Sequence, residues 1–225
     1  MTLFVSIFLL IMSAFSVSAQ EKIVTAEEYL ATVAEKYGGI RDYEAGITIV
    51  SGGTTMTGTI SHIAPSFLRL DFTRPAEQVI VFNGEQLTIY LPEYRAVLNQ
   101  AVTATNRPAA SMASAQGLIL LRRNYVPSYV DTPKLQPLDK DSSESVIKVR
   151  LTRRSPAENF REIILCINPD RLLIRRIEGR TNNNTLVRFD FSNVRINQGI
   201  PEQRFIYDSP ASANMYNNFL FRDNN

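Results

Sequence analysis

Hydrophobic positions along this chain repeat first with a helical period and then, for most of its length, with a period of two. Thr25-Ala-Glu-Glu28 is a capping box, and Val24 and Tyr29 are spaced as a hydrophobic staple across it. Tyr29, Leu30, Val33 and Tyr37 follow at intervals of three and four before Gly38-Gly39 stops the run. The spacing predicts one amphipathic helix with a single apolar stripe, which must lie on another layer. Strand signals come next: Tyr43 to Val50, Met56 to Ile63, Phe67 to Phe72, Gln78 to Phe82 and Gln86 to Leu91. Turn-forming Ser51-Gly-Gly53, Ala64-Pro65, Thr73-Arg-Pro75 and Asn83-Gly84 separate them. Asn83-Gly84 predicts a two-residue hairpin with positive φ at both positions.

The centre breaks the pattern. Gln100 to Pro108 reads as a polar loop, and Ala109 to Asn124 has helix-forming composition. In that helix Met112, Gln116 or Leu118, and Leu120 or Leu121 would face one way. Lys134 to Ser145 reads as a mobile polar loop. Strands resume over Val146 to Thr152, Phe160 to Asn168, Arg171 to Arg180, Thr185 to Val194 and Arg204 to Tyr207. About ten short strands with tight turns imply antiparallel meanders, and the absence of βαβ alternation excludes a parallel sheet. The expected fold is mainly β with an α lid: one large curved antiparallel sheet or incomplete β-barrel, with helices across its mouth.

Apolar residues on both faces of several strands sharpen this picture. Leu68, Leu70 and Phe72 share one face, with Phe67, Arg69 and Asp71 opposite. Leu87, Ile89 and Leu91 share a face, and Gln78 to Phe82 is apolar on both sides. Such a sheet must be covered by a second layer, or close around an apolar cavity.

Composition narrows the classes. The 225 residues carry 24 Lys+Arg against 22 Asp+Glu, so a net charge of +2 gives no electrostatic case for nucleic acid. Residues 1–19 form an uncharged apolar run ending Val17-Ser18-Ala19, which fits a cleaved export signal with the mature chain starting at Gln20. The rival is an uncleaved anchor, since about 20 apolar residues can span a bilayer. Residues 20–225 then form a single domain. The one cysteine, Cys166, cannot form an internal disulfide and sits in an apolar run, as a buried small hydrophobe would.

Catalytic patterns are sparse. His62, the only histidine, sits near a strand end, where a structural role is the ordinary one. One histidine and one cysteine do not make a zinc site. Ser145-Val-Ile-Lys148 matches S-x-x-K, but strand alternation points Ser145 and Lys148 to opposite faces. Asp139-Lys-Asp141 reads as a solvated loop. No phosphate-binding glycine motif and no G-x-S-x-G occurs. No enzyme, cofactor or metal is indicated.

The order of short motifs resembles the LolA family of periplasmic outer-membrane lipoprotein carriers. The resemblance rests on the early helix ending near Gly39-Ile40-Arg-Asp-Tyr43, on Thr57-Gly-Thr-Ile60, and on Ala64-Pro-Ser-Phe-Leu-Arg-Leu-Asp-Phe72. It continues through Pro75-Ala-Glu-Gln-Val-Ile-Val-Phe-Asn-Gly84, Leu87-Thr-Ile-Tyr90 with Pro92, and Leu172-Leu-Ile-Arg-Arg-Ile-Glu-Gly179. Leu186-Val-Arg-Phe-Asp-Phe-Ser-Asn-Val194, Phe205 and Pro210 complete it. The resemblance implies an unclosed barrel whose helical lid covers a cavity for acyl chains. Its wall would be Leu68, Leu70, Phe72, Val79, Val81, Leu87 and Ile89, and its lid Met112, Leu118, Leu120 and Leu121. It also implies acylated lipoproteins as cargo, an inner-membrane lipoprotein-releasing ABC transporter complex as donor, an outer-membrane acceptor, and a monomeric periplasmic carrier. The family often places an arginine immediately before the first proline, tied to lid closure. This chain has Ala64 there, which leaves the latch absent or supplied by a neighbour such as Arg69.

Overall fold

Thr25 starts the first helix in the computed structural model, which describes residues 24–102 and 113–219. Its hydroxyl accepts the Glu28 N–H at 3.2 Å, while the Glu28 carboxylate accepts the Thr25 N–H at 2.9 Å. The capping box thus closes as expected, and α1 runs Ala26–Gly38 with Leu30, Val33 and Tyr37 buried. The export-signal segment lies outside the described residues, as does Met112 of the expected lid.

Two hairpin-rich blocks form the sheet. The first contains β1 (Asp42–Ser51), β2 (Thr54–Ile63), β3 (Phe67–Arg74), β4 (Val79–Phe82), β5 (Gln86–Leu91) and β6 (Ala96–Ala101). Then come α2 (Ala115–Asn124), β7 (Tyr125–Tyr129), β8 (Gln136–Pro137), β9 (Ser145–Arg153), β10 (Phe160–Asn168), β11 (Leu173–Thr181), β12 (Leu186–Ile196) and β13 (Asn214–Asn217). The order is β13-β6-β5-β4-β3-β2-β1-β12-β11-β10-β9-β7, with β8 beside β9. The long β1–β12 pairing joins the two blocks. The result is an open, curved sheet rather than a closed barrel. It is mixed, because β13 runs parallel to β6 while every other pair is antiparallel.

Several expectations from the sequence are corrected. Strand β6 was hidden by Asn99 and Gln100, both buried polar residues that interrupt its apolar alternation. Strand β7 tolerates Pro127 because it is an edge strand. The segment Lys134–Ser145 is anchored: it contains β8, Leu138 is buried, and Asp139 pairs with Arg176 at 2.7 Å. Arg204–Tyr207 is not a strand but includes the end of a 3₁₀ turn, Glu202–Phe205. The β4–β5 turn is displaced by one residue. Gly84 and Glu85 are its central pair, only Gly84 has positive φ (94°), and the Asn83 carboxamide accepts the Glu85 and Gln86 N–H groups.

Gly58 shows why the β2–β3 contact needs a glycine. The register shifts between Thr57 and Gly58, and a Cβ on Gly58 would lie 2.2 Å from the Asp71 carbonyl oxygen. At the other end of the sheet Asp42 is buried, and its carboxylate accepts the Gln198 N–H (2.7 Å) and Gly199 N–H (3.1 Å). This fixes the exit of β12 beside the entry of β1.

The core lies on the concave face. Tyr43, Ala45, Ile47 and Ile49 of β1, Val149 and Leu151 of β9, Leu165 of β10, Ile177 of β11 and Phe191 of β12 share it. Leu30, Val33, Leu118 and Leu121 from the two helices pack down on them. The Tyr37 hydroxyl accepts the Ile174 N–H at 3.0 Å and so pins the end of α1 to β11. His62 is buried against Tyr43, with ring centroids 5.1 Å apart, and its Nδ1–H donates to the Phe67 carbonyl at 2.6 Å. Cys166 is buried on the convex side beside Leu138 and Val146, and burial pushes its thiol up to about 12.

Two outcomes are expected. Tyr37→Phe leaves the Ile174 N–H without its acceptor, so urea unfolding should show a loss of about 1–3 kcal/mol. Burial lowers the His62 pKa below its ordinary 6.5, despite the carbonyl bond that opposes this. An unfolded chain therefore takes up a proton that the fold refuses. His62 contributes stability fully present above about pH 6.5 and lost as pH falls through the lowered folded value. The difference in urea midpoint between wild type and His62→Asn should change between pH 7.5 and pH 5.5; an unchanged difference refutes the assignment.

Candidate apolar binding site

Strand register decides which residues can form one apolar surface. Leu68 pairs with Phe82 and Leu70 with Ile80, while Ile80 pairs with Ile89 and Phe82 with Leu87. Paired residues share a face, so Leu68, Leu70, Phe72, Ile80, Phe82, Leu87 and Ile89 form one strip. It continues into Ile60 and His62 of β2, and through them into the concave core. Leu68, Leu70 and Ile80 are half-buried and pack against that core, and Leu87 and Ile89 are half-buried beyond it.

Val79 and Val81 do not belong to this strip. They pair with Asp71 and Arg69 and therefore face the convex side, where Val81 is buried. The sequence offered apolar residues on both faces of β4, and without the β3 register either alternate set could have been inward. Ile80 and Phe82 are the residues that replace them, and the β3 alternation was the signal that could have found them.

The two helices cover the other half of the concave face. Leu118 and Leu121 point into the core from α2, and Gly117 is buried beside them, while Leu120 is half-buried and Ile119 is 60% exposed. Ser114 caps this helix by accepting the Gly117 N–H at 3.1 Å. Arg122 joins α2 to α1 through Glu27 at 3.0 Å. Beneath α1, the space lined by Tyr37, Tyr43, Ala113, Leu173, Ile174 and Phe191 is only about 10 Å³. That is room for about one water and none for an acyl chain. Leu30, Val33 and Leu118 are sealed from solvent, so among the described residues the helices sit on a packed core.

One polar atom in this lid is unmatched. The Tyr29 hydroxyl is enclosed where α1 meets Tyr129 of β7 and has no hydrogen-bond partner among the described residues, and burial helps to push it up to about 12. Tyr129 donates its own hydroxyl to the Val24 carbonyl at 3.0 Å.

Arg69 lies on the convex face and cannot reach the helices. Its guanidinium grips Asp71 at 2.8 Å and donates to the Arg204 carbonyl at 2.9 Å. There it holds the chain after β12 against the sheet, where Phe205 is buried on Phe67 with centroids 5.5 Å apart. Its place across the sheet from the lid follows from strand alternation, because Leu68 and Leu70 on either side point inward. Ala64, in the β2–β3 turn, is exposed and supplies no charge. Elsewhere on the convex face, beside the small apolar cluster of Leu138, Val146 and Cys166, buried Arg176 is set between Asp139 and Asp190.

Among the described residues no group of three or more His, Cys, Asp or Glu is placed to hold a metal ion. No described helix is long and apolar enough to cross a membrane.

Comparison with known proteins gives a consistent result. No curated protein matches the chain by sequence. An uncharacterized conserved protein from Thermus thermophilus shares the fold with a TM-score of 0.55 at 10% identity, over 84% of this chain and 96% of that one. A chain of the Pseudomonas aeruginosa MucA/MucB complex gives a TM-score of 0.52 at 17% identity, over 84% of this chain and 62% of its own length. These likenesses establish the fold alone. The sequence of residues 50–208 matches the family described as outer membrane lipoprotein carrier protein LolA, and the chain belongs to that family.

Proposed function

We propose that this protein is a periplasmic carrier that takes acyl chains of lipoproteins onto its concave face and moves them from the inner to the outer membrane. The observation that carries this reading is the apolar strip of β2–β5, which runs out from the helix-covered core and stays half-buried at Leu68, Leu70, Ile80, Leu87 and Ile89. Burial of each CH₂ is worth about 0.8 kcal/mol, so one long acyl chain crossing water unprotected costs on the order of 10 kcal/mol. A binding face lowers that barrier with no covalent step. Residues 1–19 would direct export. An inner-membrane lipoprotein-releasing ABC transporter complex would load the carrier, and an outer-membrane acceptor would empty it.

Because Leu30, Val33 and Leu118 are sealed in the core, cargo bound among them must displace the helices. Leu118, Leu120 and Leu121 would then leave the core and face the chains. The Tyr29 hydroxyl favours this movement, since an enclosed unpaired hydroxyl costs about 1–3 kcal/mol and gains a partner on opening. The sealed packing of Leu30, Val33 and Leu118 also favours a second reading, in which the closed form is a resting state. The protein would then carry free lipid, or sense lipoproteins and regulate a membrane partner, and the MucA/MucB complex is a protein assembly containing a chain of this fold.

The central test is native mass spectrometry of protein isolated from its own periplasm. Bound acylated polypeptide supports the carrier, free lipid or a protein partner supports the second reading, and a bare protein indifferent to added lipoprotein sinks both. Ile89→Glu should lower binding of a fluorescent fatty-acid probe at least tenfold with an unchanged unfolding midpoint. A loss of fold instead would make Ile89 a sealed core residue. Tyr29→Phe removes the unmatched hydroxyl, so it should leave stability unchanged or raise it while slowing probe uptake in stopped-flow fluorescence. Faster uptake would contradict a lid opened at that point.

A further inference from the structure

Arginines outside one region of this molecule are mostly matched to carboxylates. Arg69 holds Asp71, Arg122 holds Glu27, Arg150 holds Glu162 and Arg175 holds Glu144. Arg176 and Arg188 share Asp190, and Arg195 and Arg204 share Glu44. The rim where β9, β10, β11 and β12 turn over is different. Arg123, Arg153, Arg154, Arg161 and Arg180 gather there, and none of them makes an ion pair among the described residues.

Side-chain contacts show that this is one patch. Arg153 donates to the Asn182 carboxamide, and Arg161 (2.7 Å) and Arg180 (3.3 Å) both donate to the Asn184 carboxamide in the same β11–β12 turn. Arg154 donates its backbone N–H to the Asn124 carbonyl at 2.9 Å, and Arg123 donates to the Asn124 carboxamide at 3.2 Å. Every one of these acceptors is neutral, so the guanidinium groups of Arg123, Arg153, Arg161 and Arg180 are oriented without being neutralised, and Arg154 is exposed beside them. The one carboxylate in the turns that form this rim is Glu158. The whole chain has a net charge of only +2, so the rim holds more positive charge than the molecule's total, and the remainder is net acidic. Among the described residues the other arginines without ion pairs stand apart from one another: Arg74 ends β3, Arg41 lies between α1 and β1, and Arg95 and Arg171 lie between strands.

Two further features qualify the patch for a flat, partly apolar partner. Leu186 is 43% exposed and pairs in register with Arg180, which sets an apolar side chain among the guanidiniums. The rim also borders the end of the concave face, where Phe160 packs against the core and Val187 pairs with Gly179. We infer that this arginine rim docks the protein on a bilayer surface carrying anionic phospholipids. Phosphate oxygens meet the guanidinium groups, and Leu186 settles at the headgroup boundary. Docking in this way turns one end of the apolar trough toward the membrane. The choice of a membrane over another anionic surface rests on the lipid-carrying reading; the charge pattern does not.

Flotation of the exported protein with vesicles tests this. Phosphatidylcholine vesicles with about one third phosphatidylglycerol should bind it, and pure phosphatidylcholine vesicles should not. Binding should fall as salt rises from about 0.01 M to about 0.15 M, which shortens the screening length from roughly 30 to 8 Å. The triple variant Arg123→Gln, Arg154→Gln, Arg161→Gln alters exposed side chains and should weaken binding on the order of a hundredfold. The control triple Arg41→Gln, Arg74→Gln, Arg171→Gln removes the same charge elsewhere and should retain most of it. Absent vesicle binding, or equal loss in both triples, overturns the proposal. So does binding of polyglutamate with vesicles ignored, which assigns the rim to an acidic protein. Fatty-acid probe uptake is measured on the same variants. Failure of uptake with vesicle binding intact removes the carrier reading and leaves the docking surface, and the reverse removes only the docking surface.

Discussion

Covering one apolar face of an open sheet is the constraint on which the rest of this structure depends. Alternation along each strand sends Tyr43, Ala45, Ile47 and Ile49, together with their neighbours in register, to a single concave side. A closed barrel would bury such a face against itself, but here β7 and β13 remain as edges. The cover must come from helices, and α1 and α2 are short. They cover the half of the trough formed by β1 and β7–β12, where Leu30, Val33 and Leu118 are sealed from solvent. The strip over β3–β5 extends past them. A protein with this fold therefore carries apolar surface at the border between sealed core and solvent, which is the property the proposed carrier function uses.

The convex face is organised by a different force. Across the second block, around a small apolar cluster of Leu138, Val146 and Cys166, its strands present charged side chains, and Arg176, buried between Asp139 and Asp190, ties the β8–β9 segment to β11 and β12. Burying one guanidinium is tolerable because it is paired on two sides. Across the first block the convex face is covered by chain instead of charge. The segment after β12 crosses it, buries Phe205 and ends as β13 on the edge of β6. Arg69 supports that crossing, so a residue considered for closing the front of the molecule holds its back.

Much of the fold was legible in the chain because it is set by local rules. The Thr25–Glu28 capping box, the stripe of Leu30, Val33 and Tyr37, and the turns that separate the strands are each decided within a few residues. Membership of the LolA family was legible in the order of those motifs, although each alone is common. Strands β6, β7 and β13 were not: buried Asn99 and Gln100 interrupt β6, Pro127 interrupts β7, and β13 forms only against distant β6. Asn99 breaks the apolar alternation of β6 until the Thr88 hydroxyl and the Asn217 carboxamide oxygen supply its hydrogen bonds. Lys134–Ser145 reads as mobile until Arg176 supplies a partner for Asp139.

The sequence by itself determined that the chain would form an early helix and an extensive β-sheet with more apolar surface than a single face needs. Only the tertiary structure decided how that surface is divided. The β3–β4 register turns Ile80 and Phe82 toward the trough and Val79 and Val81 away from it, a choice that a strand apolar on both sides leaves open. The packing of Leu118 and Leu121 likewise fixed which side of α2 faces inward. The physical reason is that periodicity specifies which residues lie together on a face, whereas the partner across the pairing specifies which face is buried.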